Sequence, residues 1–448
     1  MPKSTKAAFT FVDLFAGIGG FHAALSAMGG ECVYAIEIDP QAAAVYERNW
    51  GLDPLGDVTL DVNDQTMNVP PHDILAAGFP CQPFSKSGAQ RGMEETRGTL
   101  YWHILQIIEA HHPKIVLLEN VRNLAGPRHL HEWQVIIETL RAEGYRVADT
   151  PAIFSPHLLP PDMGGRPQVR ERVFITATYV GTEVSIHALA ADPAVANRPV
   201  AGWDPQTWHL ESDLPLDADH HVEGCDLSQG ERLWIDAWDD FVTKMWEVRE
   251  GRRLPGFPLW ADEWVTTDSL EIPQGTPKWK SDYLHKNAEF YTAHKSLIDT
   301  WAAKWGIYSD AFPPSRRKLE WQAQDTASLW DTVMHFRPSG IRAKAATYVP
   351  ALVAITQTSV VGPRERRLSP REAARLQGLP EWFDLGGQTT AAAYRQLGNG
   401  VSVGAVWHVL RSHVQRDEDL LKKSAPRLLH AILNTPASPD ALLKRHKR

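Results

Sequence analysis

The amino-acid sequence predicts an α/β fold, in which a doubly wound, mostly parallel sheet is flanked by helices and accompanied by a second domain. Three observations support this prediction. Short β-rich apolar runs alternate with helical stretches over the first 180 residues, which is typical of parallel strands joined by crossover helices. A glycine-rich turn follows the first run. After about residue 185 the composition of the chain changes.

Each strand is predicted from its own apolar run. The six runs cover residues 7–15, 31–39, 72–78, 114–120, 145–154 and 172–180. Helical periodicity covers residues 20–28, 40–49, 98–111 and 131–143, and Pro40 stands where proline favours the first turn of a helix. Farther along, residues 368–380 return to a helical pattern, and residues 391–414 indicate a loop leading into a long helix.

The middle of the chain has a different texture. Prolines become frequent, acids cluster, and twelve of the seventeen tryptophans lie between Trp203 and Trp330. No period of two, heptad or internal repeat is evident, so an irregular second domain is expected, with most of the tryptophans in its core. The predicted division is a first domain over residues 1–185, a second over 186–380, and a segment over 381–448 that returns to the first.

Composition excludes several classes of protein. The 448 residues, 43% hydrophobic and 22% charged, provide material for two or three domains. No apolar run approaches the roughly 20 residues that span a bilayer, and the first residues lack a secretory pattern, so a cytoplasmic protein is expected. The cysteines Cys32, Cys81 and Cys225 are too few and too dispersed for a disulfide framework or a clustered zinc site. No metal is expected.

Charge is distributed unevenly. The net charge of −8, taken alone, disfavours a nucleic-acid partner. Residues 204–240, however, contain eleven acids and one base, whereas residues 337–371 contain seven Lys or Arg and one acid. If the second group clusters in space, one surface is strongly positive. The alternative is that both runs are solvated surface.

The stretch VDLFAGIGGFHAAL, residues 12–25, predicts a strand, a glycine-rich turn and a helix start, which lets a ligand approach the backbone. A purely structural turn is the alternative. About 20 residues on, Glu37 follows the second strand, where a carboxylate of a doubly wound fold binds the ribose hydroxyls of a nucleotide-like cofactor. Because the turn lacks the GxGxxG spacing, a nucleoside cofactor without a pyrophosphate fits better.

Cys81 follows the strand predicted at residues 72–78 and stands between Pro80 and Pro83. Ligand sites in such sheets lie beyond the carboxyl ends of the strands, and prolines stiffen the backbone that carries the thiol. Cys81 is therefore a candidate nucleophile, which requires an electropositive site to form its thiolate. An inert, buried thiol is the alternative.

Two other elements favour the reactive thiol. Glu119 ends the fourth predicted strand at the same sheet edge and is a candidate general acid if burial raises its pKa. Arg170 and Arg172 share a face if their segment is extended, and two guanidinium groups beside a carboxyl suit an anionic or carbonyl-rich substrate. A surface acid and an exposed edge strand are the alternatives.

These motifs occur together and in order, and the sequence resembles the DNA cytosine-5 methyltransferases of the stand-alone prokaryotic modification type. The matching stretches are DLFAGIGG, EID, GDV, GFPCQPFS, RGTLYW, ENV, QVRERVF, SPREAARLQGLP and QLGNGVSVGAV, within residues 9–180 and 335–410. The resemblance implies the S-adenosylmethionine-dependent methyltransferase fold for the first domain and a variable target-recognition domain for the second.

The resemblance also implies a reaction: methylation of carbon 5 of a cytosine in a specific double-stranded DNA sequence. The cofactor is S-adenosyl-L-methionine and the product S-adenosyl-L-homocysteine. Attack of the Cys81 thiolate on carbon 6 makes carbon 5 nucleophilic, Glu119 protonates or hydrogen-bonds ring nitrogen 3, and Arg172, with Arg170 behind it, holds the carbonyl oxygen. The target base has to be flipped out of the duplex to be reached.

The cofactor contacts follow from the same resemblance. Glu37 is expected at the ribose, Asp57 at the adenine amino group, and Phe15 and Ile38 against the adenine faces, whereas Asp39 orders the loop. The other expected contacts are Ala16, Gly17, Ile18, Gly19, Gly20, Val58, Gly78, Pro80, Leu100, Asn399 and Val401.

DNA contacts are expected from a loop after Cys81, which closes over the flipped base, and from arginine-rich stretches of the second domain, which suit phosphate and base contacts. The candidates are Ser85, Ser87, Gln90, Arg97, Arg316, Arg317, Arg337, Arg342 and Lys344. The expected protein is a monomer with double-stranded DNA as its partner, no membrane partner, and a cognate restriction endonuclease acting on the same site.

Two other functions compete with this one. An RNA cytosine methyltransferase on the same scaffold is disfavoured by the long segment between RVFITA and SPREAARL, which suits a duplex-reading domain. A silent binder that uses S-adenosylmethionine structurally is disfavoured because it has no need of Cys81, Glu119, Arg170 and Arg172 together.

Overall fold

The computed structural model describes residues 7–80, 99–217, 221–323, 325–352 and 358–444, which form two compact units. The large unit comprises Met1–Trp208, Pro350–Thr356 and Ala373–Arg448, and the small unit comprises His209–Val349 and Gln357–Glu372. The first division therefore comes later than the expected boundary at residue 185. Trp203 and Trp208 explain the difference, because both indole N–H groups donate to the carbonyl of His157 in the large unit.

The strands, in chain order, are β1 Phe9–Leu14, β2 Gly30–Ile36, β3 Val62–Asn63, β4 Thr66–Met67, β5 Ile74–Gly78, β6 Ile115–Val121, β7 Tyr145–Ala148, β8 Ala152–Phe154, β9 Gln168–Val169, β10 Arg172–Tyr179, β11 Ala190–Ala191, β12 Leu259–Trp260, β13 Lys318–Gln322, β14 Thr332–Arg337, β15 Gly340–Ala345, β16 Val349–Pro350, β17 Val360–Val361 and β18 Arg366–Arg367.

The α-helices are α1 Gly20–Ala27, α2 Pro40–Trp50, α3 Val58–Asp61, α4 Leu100–His111, α5 Leu130–Ala142, α6 Ile186–Leu189, α7 Leu210–Asp213, α8 Gln229–Val248, α9 Lys278–Trp305, α10 Pro370–Gln377, α11 Thr390–Asn399, α12 Val403–Arg416, α13 Glu418–Ser424, α14 Pro426–Leu433 and α15 Asp440–Leu443. Within the described ranges, none of these helices combines the length and the apolar character that a membrane crossing requires.

The main sheet of the large unit has the strand order β11–β7–β10–β6–β5–β1–β2, with β8 paired to β10. The strands β1, β2, β5 and β6 are parallel, so their carboxyl ends meet at one edge. β10 runs antiparallel to β6, and its first residue, Arg172, is paired with Val121 at the end of β6. All six predicted strands are present, the fifth as β7 and β8, and the predicted doubly wound α/β sheet is confirmed.

Alternation along β1 explains the two apolar layers that enclose this sheet. Phe9 and Phe11 belong to one layer, which also contains the buried faces of α1 and α12. Val12 and Leu14 belong to the other, with the buried faces of α4 and α5. Because successive side chains of a strand point to opposite faces, a strand covered on both sides is apolar almost throughout.

Residues 391–414 form two helices rather than the expected loop followed by one long helix. Gly398 and Gly400 favour a loop, but α11 extends to Asn399 and buries Ala393, Tyr394 and Leu397. The Thr389 side chain caps this helix, and the Ser402 side chain caps α12. Burial of one apolar face and side-chain capping together outweigh the low helix propensity of Gly398.

The small unit contains a six-stranded sheet with the order β12–β13–β15–β14–β17–β18. One face of this sheet packs against α8 and α9 in a core that contains Trp238, Trp264, Trp301 and Trp321, as expected for most of the tryptophans. Trp279 differs, because it is 60% exposed. Where the sequence predicts an irregular domain, the structure has a regular sheet with two long helices. Its strands are too short and too widely separated for a period of two to stand out.

Candidate active site

A pocket of about 700 Å³ opens in the large unit where β1, β2, β5 and β6 end. Nearly all the residues predicted to contact a cofactor line it: Phe15, Ala16, Gly17, Gly20, Glu37, Ile38, Asp57, Val58, Gly78, Pro80, Leu100, Asn399 and Val401. The two others do not. Ile18 is buried in the core, and Gly19 lies against the ring of Trp50.

The glycine-rich turn between β1 and α1 is built for close approach. Gly17 has a φ of +55°, and a Cβ atom placed there would have open space in front of it. Gly19 has a φ of +90°, and a Cβ atom there would lie 2.1 Å from Trp50 Nε1. Left-handed backbone conformations favour glycine. Gly19 is therefore required by packing, whereas the space before Gly17 faces the pocket.

Glu37 connects the two loops that form this side of the pocket. Its Oε2 accepts a hydrogen bond from the Gly17 amide at 2.8 Å, and its Oε1 accepts one from the Asp39 amide at 2.8 Å. Asp39 in turn caps α2, accepting from the amides of Gln41 and Ala42, which agrees with its expected loop-ordering role. Ile38 stands between the two acids with its side chain 69% exposed.

Asp57 and Leu100 form the next part of the wall, each at the start of a helix. Asp57 caps α3, because its Oδ1 atom accepts hydrogen bonds from the amide and hydroxyl of Thr59, the second residue of that helix. Leu100 is the first residue of α4. Both side chains line the pocket.

Glu119 and Arg172 form an ion pair at the inner end of the pocket. Arg172 Nε lies 2.9 Å from Glu119 Oε1, and Glu119 is 8% exposed. Burial raises the pKa of Glu119, and the charges of Arg172 and Arg170 oppose that rise. The carboxyl group is therefore held in place by a guanidinium group while its protonated form is favoured by burial.

The chain leading to Cys81 is held beside this pair. Gly78, the last residue of β5, is paired with Glu119, and Asn120 donates a side-chain hydrogen bond to the carbonyl of Phe79 at 2.8 Å. Asn120 is 4% exposed. Sequence reasoning did not assign it a role, because its contact depends on the pairing of two strands that are distant in sequence.

Arg170 has a different environment from Arg172. It is 1% exposed, and its guanidinium donates to the carbonyls of Leu352, Gly398 and Gly400 at 2.9, 2.8 and 2.5 Å. Burial and the charge of Arg172 lower the pKa of Arg170 to about 9, while Glu119 opposes the change. β9 ends before Arg170 and β10 begins after it, so the two arginines do not share the face of one strand.

Arg395 at the rim is a further residue that sequence reasoning missed. It lines the pocket, donates to Gln41 Oε1 at 3.0 Å and lies 3.6 Å from Asp39 Oδ2. In the sequence, Arg395 directly precedes the matching stretch QLGNGVSVGAV, and this position is the one indication of a role at the site. Among the described residues, no group of three or more His, Cys, Asp or Glu side chains is placed to hold a metal ion.

Several predicted site residues lie outside the described ranges: Cys81, Ser85, Ser87, Gln90 and Arg97. The structure therefore places Glu119, Arg172 and the strand end before Cys81 together, and the thiol itself is not among the residues it describes.

The five DNA-binding candidates of the small unit fall into two groups. Arg316 lies over the rings of Trp234 and Phe336, and Arg317 donates to Asp262 and to the carbonyls of Phe312 and Ser309. The other group consists of Arg337, Arg342 and Lys344, which lie on β14 and β15.

The chain is similar to known proteins over most of its length. Residues 9–415 match the family described as C-5 cytosine-specific DNA methylase. The chain is 50% identical to the Type II methyltransferase M.AluI of Cellulosimicrobium cellulans, over 98% of each protein. It is 29% identical to the Type II methyltransferase M.HhaI of Haemophilus parahaemolyticus, over 89% of this chain and 92% of that protein.

Solved structures also resemble the chain. The crystal structure of S. pombe Dnmt2 methyltransferase gives a TM-score of 0.47 at 17% identity, covering 92% of this chain and 99% of that chain.

Proposed function

The chain belongs to the C-5 cytosine-specific DNA methylases, and on that premise we propose that it transfers a methyl group from S-adenosyl-L-methionine to a cytosine in a specific double-stranded DNA sequence. The geometry that supports this proposal is the Glu119–Arg172 pair, held at the inner end of the pocket beside the strand that leads to Cys81.

The pocket residues fit S-adenosyl-L-methionine. Carboxylates at Glu37 and Asp57 suit ribose hydroxyls and the adenine amino group, the exposed side chain of Ile38 offers an apolar surface to a ring, and the space before Gly17 admits a ligand against the backbone. When bound, the cofactor supplies an electrophilic methyl group for carbon 5. The remaining expected contacts, from Leu100, Asn399 and Val401 among others, complete the enclosure.

The protein's own residues prepare the base. We assign the nucleophile to Cys81: its thiolate forms a bond to carbon 6, and the electron pair of the 5,6 double bond moves towards ring nitrogen 3. Glu119 donates its proton, or a hydrogen bond, to that nitrogen and so neutralises the charge that develops there. Arg172 orients Glu119 and favours the thiolate by its positive potential.

The adduct must then be released. Once carbon 5 carries the methyl group, its proton passes to solvent, and the electrons of that carbon–hydrogen bond form the new double bond. The carbon–sulfur bond breaks with its electrons returning to the Cys81 thiolate, and the proton on ring nitrogen 3 returns to Glu119. This restores the 5,6 double bond.

A base stacked in a duplex cannot reach the pocket. The cytosine is therefore flipped out of the duplex before the reaction begins, at a cost of about a few kcal/mol.

Arg170 fits a positioning role in this scheme. Its donors are directed at the carbonyls of Leu352, Gly398 and Gly400, the last two of which flank Asn399. It therefore supports the junction between α11 and α12, which carries Asn399 and Val401, and acts on the reaction through that junction.

The reaction is tested by incubating the protein with duplex DNA and labelled S-adenosyl-L-methionine and analysing the nucleosides by mass spectrometry. We expect 5-methylcytosine from the wild type and none from Cys81→Ala, with cofactor affinity retained in the variant. A duplex containing 5-fluorocytosine should trap the protein covalently. Absence of 5-methylcytosine with the wild type would overturn the proposed reaction; loss of cofactor binding in Cys81→Ala would make Cys81 structural.

The identity to M.AluI over 98% of each protein supports a second proposal: both recognise the same DNA sequence, in a Type II restriction–modification context with an endonuclease specific for that site. DNA methylated to completion by M.AluI should accept no further methyl groups from this protein, whereas untreated DNA should. Continued incorporation into the pretreated DNA would show that the two target sequences differ.

A further inference from the structure

One face of the small-unit sheet is apolar and the other is charged. In β13, β15 and β14, the residues Leu319, Ile341 and Met334 are buried in the core. The residues between them point to the opposite face, and the strand register aligns them: Glu320 pairs with Arg342, and Arg342 with His335. On these three strands, the charged residues of this face are Lys318, Glu320, Arg337, Arg342 and Lys344.

The field on this face is positive. On these three strands four cations face a single acid, Glu320, and His335 lies between Arg342 and the neighbouring strand positions of this face. Its pKa is lowered to about 4 by burial, reinforced by Arg337, Arg342, Lys344 and Arg367. A positive sheet face suits the phosphates that flank a DNA groove.

Arg342 differs from the other cations. Its Nε donates to Glu320 Oε2, and the same oxygen lies 4.0 Å from Arg337 Nη1. Within the described part of the chain, no hydrogen bond engages the two terminal nitrogens of Arg342. Its side chain is 33% exposed, and it lines a cleft of about 450 Å³ whose walls also carry Trp260 and Trp279. The guanidinium fork is thus oriented from behind and reachable from outside.

The ion pair with Glu320 affects which hydrogen-bond acceptor on DNA the guanidinium of Arg342 can bind best. Glu320 offsets part of the charge of Arg342, which weakens its attraction for a phosphate. The pair leaves the two terminal nitrogens of Arg342 as donors in the plane of the guanidinium. Such a fork matches the O6 and N7 acceptors of guanine in the major groove. Lys344, which lies 4.6 Å above the Tyr348 ring, has no fork and suits a phosphate as a point charge.

We propose that Arg342, oriented by Glu320, reads a guanine of the target sequence through the major groove, while Lys344 on the same strand contacts the DNA backbone. The proposal rests on the proposed function, because it assumes that the substrate is duplex DNA. It assigns base recognition to one arginine of the arginine-rich segment and a positioning role to Glu320, to which the sequence assigned none.

The test uses the duplex that the wild type is found to methylate, with each guanine of the target replaced in turn by 7-deazaguanine, which lacks the N7 acceptor. We expect one position at which kcat/KM of the wild type falls by about 10- to 100-fold. Arg342→Ala should have a lower kcat/KM on the natural duplex and show no further loss at that position.

Lys344→Gln is the matched control, two residues away on the same face. It should weaken binding to all duplexes alike, reduce the slope of affinity against salt by about one phosphate contact, and keep the wild-type response to 7-deazaguanine. Glu320→Gln keeps Arg342 but orients it less firmly, so the fall in kcat/KM caused by 7-deazaguanine should be smaller than in the wild type. Thermal unfolding checks that each variant is folded.

The outcomes separate the two proposals. A wild type that methylates no duplex contradicts the proposed function. A wild type that methylates its target but tolerates 7-deazaguanine everywhere, or an Arg342→Ala variant that is as sensitive to it as the wild type, contradicts the assignment of Arg342 and leaves the proposed function standing.

Discussion

Glu119 meets two opposing influences at a single carboxyl group. Burial raises its pKa, and the nearby guanidinium groups of Arg172 and Arg170 act to lower it. Burial has the larger effect, so the pKa of Glu119 is higher than that of an ordinary glutamate and its protonated form is more populated. That is the form able to donate to a ring nitrogen, so the ion pair serves to aim the carboxyl rather than to keep it charged.

The pH dependence of catalysis should follow from this balance. As the pH rises through the pKa of Glu119 the proton donor is lost, so kcat should fall on the alkaline side, while the need for the Cys81 thiolate limits the acid side. In Glu119→Gln the amide remains a donor at every pH. We expect kcat to be about 10²- to 10⁴-fold lower and the alkaline fall to disappear, measured by methyl transfer across a pH series.

The exposed Glu138 on α5 offers a matched control. Glu138→Gln should keep the wild-type profile. An alkaline limb that persists unchanged in Glu119→Gln would assign it to another group.

Single residues were predictable from the sequence where their role depends on local position. Glu37 and Asp39 follow a strand, and the structure places Glu37 in the wall of the pocket and Asp39 at the start of α2. Asn120 and Arg395 were not predictable, since the Phe79 carbonyl and Gln41 that they contact become neighbours only through strand pairing and the packing of a distant helix.

At the level of elements, the short connection between β9 and β10 contains the arginine that ties the pocket together. Arg170 is fully buried and donates to three carbonyls on two separate segments. The two terminal nitrogens of its guanidinium make all three bonds, and its buried Nε has no hydrogen-bond partner among the described residues. Removing it leaves those carbonyls without a partner in a region that water does not reach easily.

Arg170→Gln should therefore act on stability and on cofactor binding. We expect a loss of about 1 to 3 kcal/mol in the free energy of unfolding, the cost of leaving buried carbonyls without a donor. We also expect a higher KM for S-adenosyl-L-methionine, because the junction between α11 and α12, which carries Asn399 and Val401, loses its support. Calorimetry and initial-rate kinetics measure the two effects. A drop in kcat with KM and stability unchanged would instead indicate that Arg170 contacts the base.

The elements of the large unit were largely predictable because its strands are long apolar runs separated by helical periodicity. Strand direction was not. Nothing in the stretch RVFITATY shows that β10 runs antiparallel to β6, yet that direction carries Arg172 to the active edge. Likewise α11 was not predictable, because the glycines around Asn399 favour a loop, whereas the helix is stabilised by its buried face.

At the level of the whole molecule, several histidines are buried in their neutral form. Burial lowers the pKa of His22 and His413 to about 3, and that of His72, His335 and His408 to about 4. His413 shows the cause in its contacts. Its Nδ1 lies 3.0 Å from Arg416 Nη2 and accepts from it, so Nε2 carries the proton and donates to Thr178 Oγ1 at 2.9 Å.

These histidines should make the fold sensitive to acid. In the unfolded chain each histidine takes up a proton near pH 6.5, whereas in the folded chain the buried histidines stay neutral to a much lower pH. The free energy of unfolding therefore falls as the pH drops below about 6.5, by about 1.4 kcal/mol for each pH unit and each histidine. We expect the melting temperature to fall between about pH 6.5 and 4.5, and to fall less in His413→Gln.

His187, which is exposed, provides the control, and His187→Gln should keep the wild-type dependence. If His413→Gln folds poorly, His408→Gln serves the same purpose. An identical loss of stability in the wild type and in both buried-site variants would show that other groups cause the acid sensitivity.

The small unit was the part of the fold that sequence reasoning could not build. Its strands are two to six residues long, and its acids are not simply solvated. Asp239 accepts from Ser328 and Leu329, and Asp236 from the Trp330 indole. Such contacts join α8 to a loop about 90 residues away, a distance at which neither periodicity nor composition carries information.

The position of Arg170 in the chain has a consequence for how such proteins can diversify. Arg170 precedes the small unit, and Leu352, Gly398 and Gly400, whose carbonyls it binds, all follow the main part of it. The Arg170 side chain thus joins the part of the large unit that precedes the small unit in the chain to the parts that follow it. Recombination can therefore exchange the inserted stretch for one of another length while the pocket of the large unit keeps the hydrogen bonds that hold it.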